Sequence, residues 1–228
     1  MSIGLLLENG ITPKGYFAEQ KRIIMTDTDN TIKSTKVFLL DHVLYEMQMY
    51  LYTLIKKKEI LDAVPRDQLL YNAIYNANIV ALRNLMSFFG ISGERGKDLI
   101  QYDSFSFSEK PAGRKNRSSY YSPISKAINH ITIDRFKGYN GSTLDNEVIK
   151  DCENLCPEML TYICSFIKHL ESDKAIVYTH SDGKNFFTID ITKELEDARV
   201  KAMVVSTKKL FCQVVNGLSE EKRANFIQ

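Results

Sequence analysis

Leu40-Asp41-His42-Val43-Leu44-Tyr45-Glu46-Met47-Gln48-Met49-Tyr50-Leu51-Tyr52-Thr53-Leu54 sets its apolar residues at 40, 43, 44, 47, 50, 51 and 54. That alternation of three and four steps is one face of an α-helix. The spacing predicts a helix from about Thr35 to Lys58. Lys56, Lys57 and Lys58 close it with the charge that suits the negative end of a helix dipole. Pro65 breaks the chain, and a second helix follows from about Arg66 to Phe89. Leu70, Ala73, Ile74, Ala77, Ala81, Leu85 and Phe88 form its buried stripe, and Gly90 ends it. Ser122-Pro123 is the signal for a third helix reaching Lys137-Gly138. A fourth helical region runs from Thr143 towards Glu171, with Pro157 dividing it in two.

The period then changes. Ala175-Ile176-Val177-Tyr178-Thr179 and Phe186-Phe187-Thr188-Ile189-Asp190 are β-prone, and Asp182-Gly183 between them is a hairpin turn signal. A last helix is predicted from about Thr192 to Val215, with Gly217 as its stop. The expected fold is mainly α: a bundle of about five helices with a small β-hairpin near residues 175–190. Residues 1–34 read as an irregular N-terminal segment and 35–228 as a single helical domain with a long polar loop at 90–121.

Composition sets bounds. The chain has 228 residues, 44% hydrophobic and 25% charged, in the ordinary range of globular proteins. A net charge of +2 excludes a protein that coats nucleic acid through overall charge and leaves room for a local basic patch. The longest apolar stretch, 37–55, is interrupted by Asp41, His42, Glu46 and Gln48 and is too polar to span a bilayer. The N-terminal run Ile3 to Leu7 lacks a preceding basic residue and a small-residue cleavage site, so no secretory signal is expected. A cytoplasmic protein is expected. The four cysteines, Cys152, Cys156, Cys164 and Cys212, are expected to be small buried hydrophobes. Adding His169 gives no short-spaced ligand pair, so no metal site is expected, and no cofactor.

The third predicted helix carries the main candidate chemistry. At 3.6 residues per turn, Lys126, His130 and Asp134 share one row, opposite Ile124, Ile128, Ile131 and Arg135. His130 titrates near neutrality, and Asp134 one turn on would fix its tautomer. Arg83, on a polar line of the second helix with Asn72 and Asn76, would steady developing negative charge. His130, Arg83 and Asp134 are thus the candidate catalytic set for phosphodiester cleavage without a metal. A solvated row of i, i+4 charge pairs is the plainer alternative. Arg135 lies in line with isoleucines and needs a partner. Glu46 is expected to pair with it, with Asp41 and Asn76 as other choices.

The 90–121 loop sets Lys110, Arg114, Lys115 and Arg117 beside Tyr120 and Tyr121, cations for phosphates and aromatic faces for unpaired bases. The glycines Gly90, Gly93 and Gly96 do not form a phosphate loop. Position 91 is Ile where glycine is required, and Asp98 stands where Ser or Thr would hold magnesium. Neither Gly-x-Ser-x-Gly nor His-Glu-x-x-His occurs.

Long helices with Arg83 in the second and His130 in the third resemble HEPN-type helical bundles over roughly residues 35–172. That resemblance implies a bacterial defence or toxin–antitoxin context and, in active members, metal-independent RNase activity. The family motif is Arg, four to six residues, then His. None of His42, His130, His169 and His180 has an arginine at that distance. The resemblance therefore implies a non-catalytic relative: an interaction or regulatory protein binding a protein partner, a second copy of itself, RNA or DNA, and no membrane. The alternative is an RNase centred on His130.

Overall fold

A computed structural model describes residues 38–63, 67–92, 99–108, 119–120, 124, 144–181 and 186–226. The chain divides into two units, Met1–Lys36 and Val37–Gln228, and the described residues all lie in the second. In order they form α1 (Leu39–Leu61), α2 (Gln68–Phe88), a 3-10 turn (Tyr102–Ser104), α3 (Leu144–Ser172), β1 (Val177–Ser181), β2 (Phe186–Asp190), α4 (Ile191–Glu196), α5 (Ala198–Asn216), α6 (Glu220–Arg223) and a closing 3-10 turn (Ala224–Phe226). The mainly helical class and the hairpin expected near 175–190 are both present.

α1 buries Leu40, Val43, Leu44, Met47, Tyr50 and Leu51, the stripe read from its periodicity. Its N-cap is Phe38, which offers no side-chain oxygen. The cap comes from far along the chain. The Glu194 carboxylate of α4 accepts the Leu39 and Leu40 amides at 3.0 Å each. Two of the four donors that a helix start leaves unpaired are satisfied this way, by the charge its dipole favours. Asp41, in the same first turn, meets Arg199 of α5 at 3.0 Å. Gln48 then fixes α1 against α5: its Nε2 donates to the Met203 carbonyl and to Thr207 Oγ1 at 3.0 and 3.1 Å.

α2 starts at Asp67, whose side chain accepts the Leu70 amide at 2.9 Å. It ends as expected at Gly90, with φ of 66°. The Gly90 amide returns to the Ser87 carbonyl, and the Ile91 amide to Met86. That is a Schellman ending, with Ile91 fully buried as its apolar anchor. The left-handed φ is why glycine stands there. Asn78, 3% exposed, ties α2 to α1 by donating to the Tyr50 carbonyl and to Thr53 Oγ1.

Four expectations need correction. α3 runs unbroken through Pro157 for 29 residues. The proline costs the Glu153 carbonyl its helical donor. Burial of Cys152, Leu155, Met159, Leu160, Tyr162 and Ile163 on either side outweighs that loss. The last helix is two pieces, because Asp197 leaves helical geometry (ψ 134°) and caps the Arg199 amide. The 90–121 stretch is not polar loop throughout: Tyr102 and Phe105 enter the core. Finally, Cys152 is buried and Cys156 and Cys164 half-buried, but Cys212 on α5 is exposed.

Phe166 of α3 is the aromatic hub. Phe88, Phe105 and Phe107 meet it edge-on at 5.4, 5.8 and 5.5 Å between centroids. Such pairs add stability beyond area burial. β1 and β2 pair antiparallel, Tyr178 facing Ile189 and His180 facing Phe187. The other side of β1 carries the 99–108 segment through the Phe105–Tyr178 bridge and the Ser106 amide, which donates to the Val177 carbonyl at 2.8 Å.

Replacing Glu194 by Ala should lower unfolding free energy by about 2–4 kcal/mol, since two charge-assisted bonds go. Urea denaturation checks this, and Asp41→Asn should cost less because Arg199 remains half exposed.

Candidate functional site

Three of the candidate site residues, Arg83, Glu46 and Tyr120, lie in described helical backbone. Arg83 is half-buried on α2. Glu46 faces the neighbouring residue of that helix, Asn84, which hydrogen-bonds its carboxyl. Burial pushes the Glu46 carboxyl up from its ordinary value, and the Asn84 bond opposes that rise. Asp41, the other carboxylate considered for Arg135, is paired with Arg199 instead. Tyr120 is helical and packs partly against the core, and Ile124 is helical and fully buried, on the apolar side expected of the third helix. Helical backbone at Ser119 and Tyr120 precedes the Ser122 start read from the sequence. His130, Asp134, Arg135, Lys126, Lys110, Arg114, Lys115, Arg117 and Tyr121 lie outside the described residues.

His169, the histidine weighed as a metal ligand, has a different setting. Its ring stacks on Phe107 at 4.8 Å, and its Nδ1 lies 3.4 Å from Asp173 Oδ2. The same carboxylate accepts the Ser108 hydroxyl at 2.7 Å and the Ser108 amide at 3.3 Å. Serine and histidine thus both address the carboxylate. Among the described residues no imidazole is placed to take the serine proton, so this trio is not the arrangement of a hydrolase triad. Its effect is to latch the end of the 99–108 segment to the end of α3. The Ser108 hydroxyl, then its amide, then His169 hold the Asp173 carboxyl below its ordinary value. Among the described residues no three His, Cys, Asp or Glu side chains gather as metal ligands. No described helix is long and apolar enough to cross a membrane.

Among the described residues, β2 presents an open edge. Its inner side pairs with β1, and no backbone group bonds its outer side among the described residues. Phe186 is 72% exposed and Phe187 46%. Neither proline nor lysine interrupts the five residues of the strand. Sequence reading located the strand, but which edge stays free depends on Phe105 and Ser106 occupying the other one.

A cavity of about 270 Å³ opens between α1, α3 and the C-terminal turns. Leu54, Leu160, Leu218 and Phe226 supply apolar wall, with Lys57, Lys222 and Asn78 as polar lining. Cys152 and Cys156 lie on α3 at its floor, and burial pushes the Cys152 thiol up to about 12. The Cys156 thiol is also raised by burial, against the pull of Tyr50 and of the Lys222 and Lys57 charges. Both thiols are thus neutral at physiological pH and poor nucleophiles. Nothing in the spacing of these residues marked them as neighbours.

No family model, curated protein or solved structure matches the chain.

Two outcomes follow. With Ellman's reagent at neutral pH, Cys212 should react at once and Cys152 only on unfolding; rapid reaction of Cys152 in the folded protein would contradict its burial. Asp173 has a folded-state value below the unfolded one, so its stabilisation is present above about pH 4 and is lost as pH falls through the folded value. Asp173→Asn should remove that part of the acid dependence of Tm and speed hydrogen exchange in 99–108.

Proposed function

We propose that this chain is a non-catalytic interaction module that takes up an extended segment of a protein partner along β2, in the regulatory role that its resemblance to HEPN-type bundles implies. The observation that carries this reading is the edge of β2, which no backbone group bonds among the described residues. It offers about 17 Å of unpaired backbone with two exposed phenylalanines. An incoming strand satisfies those backbone groups, and Phe186 and Phe187 give its alternate side chains something to pack on. The hairpin is held rigidly for this. Tyr178 is fully buried, and β1 is braced on its far side by Phe105 and Ser106. The nearby ionisable groups support the same reading, because they are engaged in architecture: Glu194 caps α1, Asp41 pairs with Arg199, and Asp173 latches Ser108 and His169.

A peptide of alternating Val and Thr tests this by amide chemical-shift titration. Shifts should centre on Phe186–Asp190 and vanish in Phe186→Lys, whose charge guards the edge. Absent shifts, or shifts elsewhere, would overturn strand addition. In parallel, labelled RNA should remain intact with wild type, His130→Ala and Arg83→Ala alike. Cleavage lost in His130→Ala would establish the RNase reading instead. Salt-sensitive RNA affinity that disappears in the Arg114/Lys115/Arg117 triple alanine variant would make the partner a nucleic acid.

A further inference from the structure

We infer that the cavity between α1, α3 and the C-terminal turns binds a small carboxylate with an apolar body, an interaction separate from strand uptake at β2. Size is the first argument. A dry cavity of about 150 Å³ holds benzene, and this one measures about 270 Å³. It has room for a chain of roughly eight carbons or two fused rings. Leu54, Leu160, Leu218, Phe226 and Pro157 come from three separated parts of the chain to form its wall. That surface favours hydrocarbon over a fully solvated ion.

Charge is the second argument. The Lys57 side chain is only 14% exposed, yet among the described residues its nearest carboxylate oxygen, on Glu153, is 3.9 Å away. That is beyond a hydrogen bond, and the Glu153 side chain is 64% exposed, in contact with water. The Lys57 ammonium leans on the Tyr75 ring at 5.0 Å. It is withdrawn from solvent and held by a π face, with room for a closer anion. Lys222 lines the same cavity and has no carboxylate partner among the described residues. Lys57, Lys222 and Cys156 all line this one cavity. A carboxylate between them would receive charge-assisted bonds from both, in a setting partly screened from water.

The third argument is an acceptor without a donor. Asn78 is 3% exposed, and its amide nitrogen gives hydrogen bonds to the Tyr50 carbonyl and Thr53 Oγ1. This fixes which end of the amide is oxygen. That oxygen has no donor among the described residues, although Asn78 lines the cavity. Glu153 also lines the cavity, and Pro157 removes the helical donor of its carbonyl. A hydroxyl on the ligand body would meet either acceptor, so a hydroxy acid should bind more tightly than the plain acid. Pro157 thereby gains a role: it frees a carbonyl acceptor on a residue that lines the cavity.

Calorimetry with octanoate tests the site on the full chain. Binding at one site per chain is expected, tighter for 3-hydroxyoctanoate and weaker by about tenfold or more for octanol, which lacks the charge. Lys222→Gln changes an exposed side chain and should leave the helical circular dichroism unchanged while weakening octanoate by about tenfold. Lys57→Gln should add a comparable loss. Failure of octanoate to bind, equal affinity for octanol, or unaltered affinity in a folded Lys222→Gln protein would each overturn the proposal. Octanoate leaves the β2 amides unmoved if the two sites are independent, so this outcome is read separately from peptide uptake.

Discussion

The N-terminus of α1 depends on a carboxylate that enters the sequence 155 residues later. Phe38 cannot cap the helix, and the first amides of a buried helix cannot be left unpaired. Glu194 therefore has to be in place for α1 to begin where it does. The dependence is mutual. A carboxylate only 7% exposed needs donors, and the amides of Leu39 and Leu40 are the ones bonded to it. α4 follows β2 directly, so the hairpin cannot settle on the bundle without bringing the cap. The Ile191 amide, bonded to the Ile176 carbonyl at 2.9 Å, makes that link rigid.

From this junction the rest is packing. α1 carries α2 on one side and α5 on another, and α3 closes the core with Phe166. The aromatic residues around Phe166 come from α2 and from the 99–108 segment. Edge-on rings meet at fixed angles, so the hub orients as well as buries. It holds the 99–108 segment in the position where Ser106 can bond β1 and where Ser108 can reach Asp173. One edge of the hairpin is closed as a result, and the other is left as the exposed one.

Local signals were legible, and remote partners were not. The apolar stripe of α1, the glycine ending of α2 and the Asp-Gly hairpin turn each rest on residues near one another, so periodicity and turn chemistry found them. Pro157 misled because the rule against proline is local, whereas the burial that keeps α3 whole comes from other helices. Asp197 was passed over inside an apparently continuous pattern, although its capping oxygen explains the break. The 99–108 segment looked polar as a string, and only the pockets on α2 and α3 reveal where Phe105 and Phe107 go. At the candidate site, Glu46 was expected to pair with Arg135, which lies outside the described residues, and its Asn84 neighbour cannot be identified without the α1–α2 packing. Cys152, Cys156, Lys57 and Lys222 share a cavity across a span of 166 positions by their numbering, which no motif encodes.

The Gln48 amide has a consequence for motion. Both of its bonds are made to α5, to a backbone carbonyl and to a hydroxyl one turn apart. Were α1 to slide along α5 by a single turn, about 5.4 Å, the amide would leave both acceptors and face hydrocarbon. Axial gliding of these two rods is thereby blocked, whereas small rocking about the Gln48 contact is not. Relative movement of α1 and α5 that keeps both bonds is a tilt, with Gln48 as its fulcrum.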